Sequence, residues 1–122
     1  MLNNSVYVSR IKIRILTIIF ALFQEPPLNV TIENATDDGY LYGIENQSLD
    51  LVCSVDGEVP DIVINWYNGK SFIIKGLSKS LTLQTMPNRR DDKAAYRCEV
   101  ESSALTRPLR KTIYLHIQCK LK

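Results

Sequence analysis

From residue 28 onward, apolar and polar positions alternate in short runs, and turn-forming residues break the runs at regular intervals. Val30 and Ile32 alternate with Thr31 and Glu33. Leu49, Leu51, Cys53 and Val55 share one face against Ser48, Asp50 and Ser54, with Val52 as an interruption. Ile62, Ile64 and Trp66 repeat the pattern, followed by Leu81 and Leu83, then by Tyr96, Cys98 and Val100, and finally by Ile113, Leu115 and Ile117. A period of two puts each set on one face of a half-buried strand, and no long segment keeps a helical period. The separators are Asp56-Gly57-Glu58-Val59-Pro60-Asp61, Asn68-Gly69, Lys75-Gly76, Pro87-Asn88 and Arg107-Pro108, residues that set turn dihedrals. Six to eight short strands with such breaks predict an all-β fold, an antiparallel sandwich or barrel. There is no internal repeat and no low-complexity tract.

The first residues follow a different pattern. Ile15 to Phe23 form an apolar block behind Arg10, Lys12 and Arg14, and Gln24-Glu25-Pro26-Pro27 closes it. This is the layout of a secretory signal, although Ala21 is the only small residue near the boundary and no small-x-small triplet follows. The block is too short to span a bilayer, which takes roughly 20 apolar residues as a helix. Residues 1–23 are therefore read as a signal-peptide-like segment, 26–118 as one domain and 119–122 as a C-terminal tail. The competing reading of the first segment is an amphipathic or frayed extension.

Length and charge narrow the function. A chain of 122 residues makes one domain at the usual span of about 100 to 200 residues. Its 45% hydrophobic and 23% charged composition is ordinary globular usage and argues against disorder. Fifteen Lys plus Arg against thirteen Asp plus Glu give +2. Without residues 1–23 the count is twelve against thirteen, or −1, so the basic surplus that nucleic-acid binding needs is missing.

Four residues carry the strongest signal. Cys53 lies mid-strand on the apolar face, Trp66 occupies the same kind of position in the next strand, and Cys98 follows with Tyr96 two residues ahead. These residues resemble the immunoglobulin superfamily over roughly residues 26–118, most specifically at Asp92-Lys93-Ala94-Ala95-Tyr96-Arg97-Cys98. Leu81-x-Leu83 and the Pro87-Asn88-Arg89-Arg90 stretch are similar to nephrin-like and nectin-like adhesion ectodomains. The resemblance implies an immunoglobulin-like antiparallel β-sandwich of about seven strands. It also implies a Cys53–Cys98 disulfide with Trp66 packed beside it, and a Tyr96 whose hydroxyl returns to backbone a few residues upstream. Asp92 would be a turn residue of the same motif. The short gap from Trp66 to Leu81 leaves room for one strand around Phe72-Ile73-Ile74, which fits the intermediate or short constant-like set. Cys119 is left over and reads as a free thiol, with an interchain bond as the alternative.

Three acceptor sequons, at Asn29, Asn34 and Asn46, all precede residue 50, and a fourth at Asn3 falls in the first segment. In an immunoglobulin-like layout, glycans there would leave the opposite sheet uncovered. Alternation makes Asn65, Tyr67, Arg97, Glu99, Tyr114 and His116 its outward residues, a set with the aromatics and arginine of an interface hot spot; the alternative is a solvated face of cross-strand pairs. No nucleophile motif accompanies His116, and no phosphate loop, His-Glu-x-x-His or Cys-x-x-Cys occurs, so the expectation is a non-enzyme with no cofactor and no metal. Asp37-Asp38 and Asp91-Asp92 lack the ligand spacing of a calcium loop. The resemblance implies an extracellular module, secreted or part of a plasma-membrane ectodomain. It would bind a protein, commonly another immunoglobulin-like domain in a homophilic or heterophilic pair, in cell adhesion or receptor recognition, and no small-molecule substrate is expected. The rival readings are a structural intracellular filament module with reduced cysteines, and the ligand-binding ectodomain fragment of a receptor enzyme.

Overall fold

The computed structural model describes residues 28–119. The signal-like segment, the Asn3 sequon and the last three residues lie outside that range. Eight strands run in chain order: β1 (Asn29–Ile32), β2 (Tyr40–Ile44), β3 (Leu49–Asp56), β4 (Val63–Asn68), β5 (Ser71–Gly76), β6 (Ser80–Thr85), β7 (Ala95–Glu101) and β8 (Leu109–Gln118). A single 3₁₀ turn, Arg89–Asp91, precedes β7. No helix among the described residues is long and apolar enough to cross a membrane. The strands form two sheets, β1-β3-β6 and β2-β8-β7-β4-β5. Six of them are the strands that the alternation predicts, β5 is the short strand expected around Phe72-Ile73-Ile74, and β2 is additional. The sandwich is not wholly antiparallel, because β2 pairs parallel to β8, with Tyr40 beside Tyr114 and Tyr42 beside His116.

Period-two residues from both sheets meet in one core of Val30, Ile32, Leu41, Leu51, Val55, Ile64, Leu83, Val100, Ile113, Leu115 and Ile117 around Cys53, Trp66 and Cys98. The Cys53–Cys98 disulfide joins β3 to β7 across the sheets, with Cα atoms 6.4 Å apart. Trp66 sits directly opposite Cys98 on the neighbouring strand. Its indole N–H donates to the Leu81 carbonyl at 3.1 Å on the other sheet, so its one polar group is satisfied where the ring is buried.

Local chemistry fixes the turns. Gly69 takes a positive φ of 60° at the first central position of the β4–β5 hairpin, where type II′ geometry calls for glycine. Asn88 and Asp91 form a reciprocal capping box: the Asn88 side chain accepts from the Arg90 N–H, and the Asp91 carboxylate accepts from the Asn88 N–H, both at 2.8 Å. Asp92 then accepts the Ile117 N–H at 2.8 Å, which ties this corner to β8 and gives the motif aspartate its role. The Tyr96 ring is buried, but its hydroxyl does not return to the upstream backbone as the resemblance implied. It meets Asn68 Nδ2 on β4 at 3.4 Å, and the capping box holds the corner in its place.

Candidate binding face

The outer face of the five-stranded sheet can be mapped from its register. One row runs Phe72, Tyr67, Arg97, Thr112, and the next runs Lys75, Asn65, Glu99, Arg110. Beyond them, Tyr114 and His116 of β8 stand beside Tyr40 and Tyr42 of β2. All six residues that alternation assigned to this face are on it, but they do not share one environment.

Asn65 and Glu99 are not solvent-exposed, contrary to expectation. They are 6% and 7% accessible, and the Glu99 carboxylate lies against guanidinium groups from its own strand and the next. Glu99 Oε2 accepts from Arg97 Nε at 2.6 Å and from Arg110 Nε at 3.3 Å. Burying a carboxylate is costly unless it is paired and hydrogen-bonded, and two guanidinium groups meet that requirement. Arg97 is held on three sides: it also donates to the Gly69 carbonyl at 3.1 Å, and its guanidinium lies 4.5 Å from the centre of the Tyr67 ring, a cation–π distance. Phe72 meets Tyr67 edge-on at 5.8 Å and is 55% exposed. The centre of the face is thus a braced polar network with an aromatic pair beside it.

The second aromatic group lies on the β2–β8 side. Tyr40 and Tyr114 rings are 6.2 Å apart, and Tyr42 and His116 rings 4.8 Å apart. Tyr42 and Tyr114 are 61% and 45% exposed. With Asp38 and Lys93 they line a shallow depression of about 450 Å³. Tyr40 and Tyr42 escaped the sequence reading, and the signal for them was the brief alternation Tyr40-Leu41-Tyr42, with Leu41 buried between two exposed rings.

The sequons also take new positions. Asn29 lies on β1 in the three-stranded sheet and Asn34 in the turn that ends β1, as expected of early segments, but Asn46 sits in the turn after β2, which belongs to the five-stranded sheet. All three asparagines are exposed. Cys119 is an exposed free thiol.

No family model matches this sequence, and no curated protein matches it. Solved structures do match. The Rst D1-D2 structure superposes with a TM-score of 0.65 at 14% identity over 77% of this chain and 50% of its own. The full Ig1–Ig3 ectodomain of mouse nectin-like molecule 4 gives 0.58 at 19% identity over 78% of this chain and 34% of its own. Dpr1 IG1 bound to DIP-eta IG1 gives 0.52 at 12% identity over 74% of this chain and 96% of its own. The M1 domain from titin gives 0.55 at 14% identity over 75% of this chain and 94% of its own. The chain therefore spans half the length of the Rst fragment and about a third of the nectin-like ectodomain. At such identities the likeness concerns architecture, and with the cross-sheet disulfide, the buried Trp66 and the strand order it places the chain among proteins of the immunoglobulin-like fold.

Proposed function

We propose that this chain is an extracellular immunoglobulin-like recognition module. It binds a protein partner through the outer face of its five-stranded sheet and performs no catalysis. The observation that carries the reading is that face, where exposed aromatic rings flank an arginine fixed by Glu99, Gly69 and Tyr67. Aromatics and arginine supply most of the energy in protein interfaces, and a guanidinium already held in place loses little entropy on binding. The Dpr1–DIP-eta complex, in which two domains of this fold bind one another, supports an immunoglobulin-like partner. The titin likeness supports the filament alternative. A disulfide favours the oxidising side of the membrane, and three exposed sequons point the same way.

Expression of the whole chain in a secretory eukaryotic cell tests this, with the medium read by intact mass with and without reductant and endoglycosidase. The expected species is trimmed near residues 21–25, glycosylated, and oxidised at Cys53 and Cys98. A cytosolic, unmodified, reduced chain would put the filament reading first. The secreted protein is then screened against cell-surface ectodomains, and Tyr67→Ala with Tyr114→Ala should abolish any binding found while leaving the domain folded. Unchanged affinity would eliminate this face.

A further inference from the structure

The four rings on the β2–β8 side stand apart from the braced Tyr67, Phe72 and Arg97 group, and the chain itself holds a second candidate to cover them. They form an exposed apolar patch, of the kind that marks a contact site, yet the segment that leads into the strand carrying two of them holds the Asn34 acceptor, and Asn46 follows that strand. We infer that the N-glycan on Asn34 folds back over Tyr40, Tyr42, Tyr114 and His116, so that the patch is covered by sugar of this same chain. The inference rests on the reading that the chain is secreted and glycosylated.

The local backbone brings acceptor and patch together. Thr36 bonds Tyr40 twice: its N–H donates to the Tyr40 carbonyl at 2.7 Å, and its hydroxyl accepts the Tyr40 N–H at 3.0 Å. Tyr40 therefore turns both backbone groups away from β8, whose Tyr114 N–H bonds the preceding Gly39 carbonyl at 2.9 Å. Thr36 lies along the free edge of β2, and Asn34 is two residues before it. Two residues of extended chain cover at most about 7 Å, less than the length of the two-sugar core of an N-glycan. Asn34 is exposed and holds a φ of 63°, a single left-handed turn residue and not part of a strand.

The patch also has the chemistry of a sugar platform. A pyranose presents polarised C–H groups on one face and hydroxyls around its rim. The faces of Tyr and His rings, electron-rich at their centres, take the first. The depression is rimmed by Asp38, an acceptor, and by Lys93, a donor, which suit the second. A covered patch would confine the protein-binding surface to the Tyr67, Phe72 and Arg97 side of the sheet.

The test uses the secreted full chain. Glycopeptide mapping first establishes occupancy at each sequon, and hydroxyl-radical footprinting then compares the protein before and after removal of N-glycans under native conditions. Labelling of Tyr40, Tyr42, Tyr114 and His116 should rise severalfold on removal while that of Tyr67 and Phe72 stays constant. Asn34→Gly should reproduce the rise, since glycine keeps the positive φ without strain and removes the acceptor, whereas Asn29→Gln should have no effect. An unoccupied Asn34 in a chain glycosylated elsewhere overturns the inference and leaves the extracellular reading intact. Equal labelling with and without glycan also overturns it, and shows the patch open to an outside partner.

Discussion

Glu99 shows what a single residue on this sheet has to satisfy. Its carboxylate is nearly inaccessible, so it needs counter-charge, and Arg97 and Arg110 supply it from the same strand and from the next. Alternation along β7 told correctly which side Glu99 faces. It could not tell whether that side is wet, because exposure depends on where long guanidinium stems from other residues come to rest, and that is decided by cross-strand register. Tyr96 illustrates a titratable counterpart. Burial raises its phenol above the ordinary value, with a further push from the nearby Asp91 carboxylate. A tyrosine pKa raised by folding contributes stability that is present below the unfolded value of about 10 and is lost as pH rises through the folded value. Tyr96→Phe should therefore unfold less steeply with alkaline pH than the parent, although it is less stable near neutrality through loss of the Asn68 contact. Parallel melting curves for the two proteins between neutral pH and about pH 11 would show it, and identical slopes would mean that Tyr96 ionises no less readily in the fold.

At the level of elements, most of the sandwich could be read from period-two runs, because an antiparallel strand with one buried face leaves that mark locally. The strand β2 did not leave it. Its alternation spans only Tyr40 to Tyr42 before Gly43, and its pairing partner β8 is far off in sequence and parallel, so no hairpin turn announces it. A Cβ on Gly43 would come within 2.9 Å of a Leu49 methyl and 3.2 Å of an Ile117 methyl, the ends of side chains that would have to shift to admit it. The edge strand β5 shows another feature hidden from the sequence. Its register against β4 slips between Trp66 and Tyr67, which leaves Ile73 as the extra residue of a bulge, and a bulge is one of the ways an exposed edge is kept from pairing with other chains. Gly69, by contrast, was legible as a turn, and the structure shows why only its backbone matters. Nothing lies within 4 Å of a Cβ added there, so Gly69→Ala introduces no clash and isolates the cost of a left-handed φ, about 1–2 kcal/mol. Urea unfolding should shift to lower midpoint with unchanged slope; an unmoved midpoint would show that the hairpin relaxes to another turn type.

For the molecule as a whole, the question is how two sheets that share no hydrogen-bond ladder are held in register. Side-chain packing around Trp66 does part of this, and the Leu81 carbonyl bond gives the indole a fixed depth. The disulfide does the rest, joining strands whose cysteines are 45 residues apart and fully buried. This centre was the most legible part of the chain, since two cysteines, a tryptophan and a tyrosine at inward positions leave few other arrangements. The partner surface was legible only as a face, because the side-chain braces and the β2 contribution arise from contacts distant in sequence. In the chain-entropy model, closing a loop of this size contributes about 4 kcal/mol, against a total of about 5–15 kcal/mol for a typical domain. Cys98→Ser should accordingly bring the sandwich near its unfolding threshold, and secretion, which discards unfolded chains, should fall steeply with the melting temperature. The paired comparison with Cys119→Ser separates the cross-link from thiol chemistry in general, since Cys119 is exposed and bonded to nothing in the core; that variant should be secreted and melt as the parent does. If Cys98→Ser were equally well secreted and equally stable, packing alone would suffice to hold the sheets. The sandwich could then work with its cysteines reduced, as a filament module inside the cell must, and the strongest physical argument for an extracellular protein would be gone.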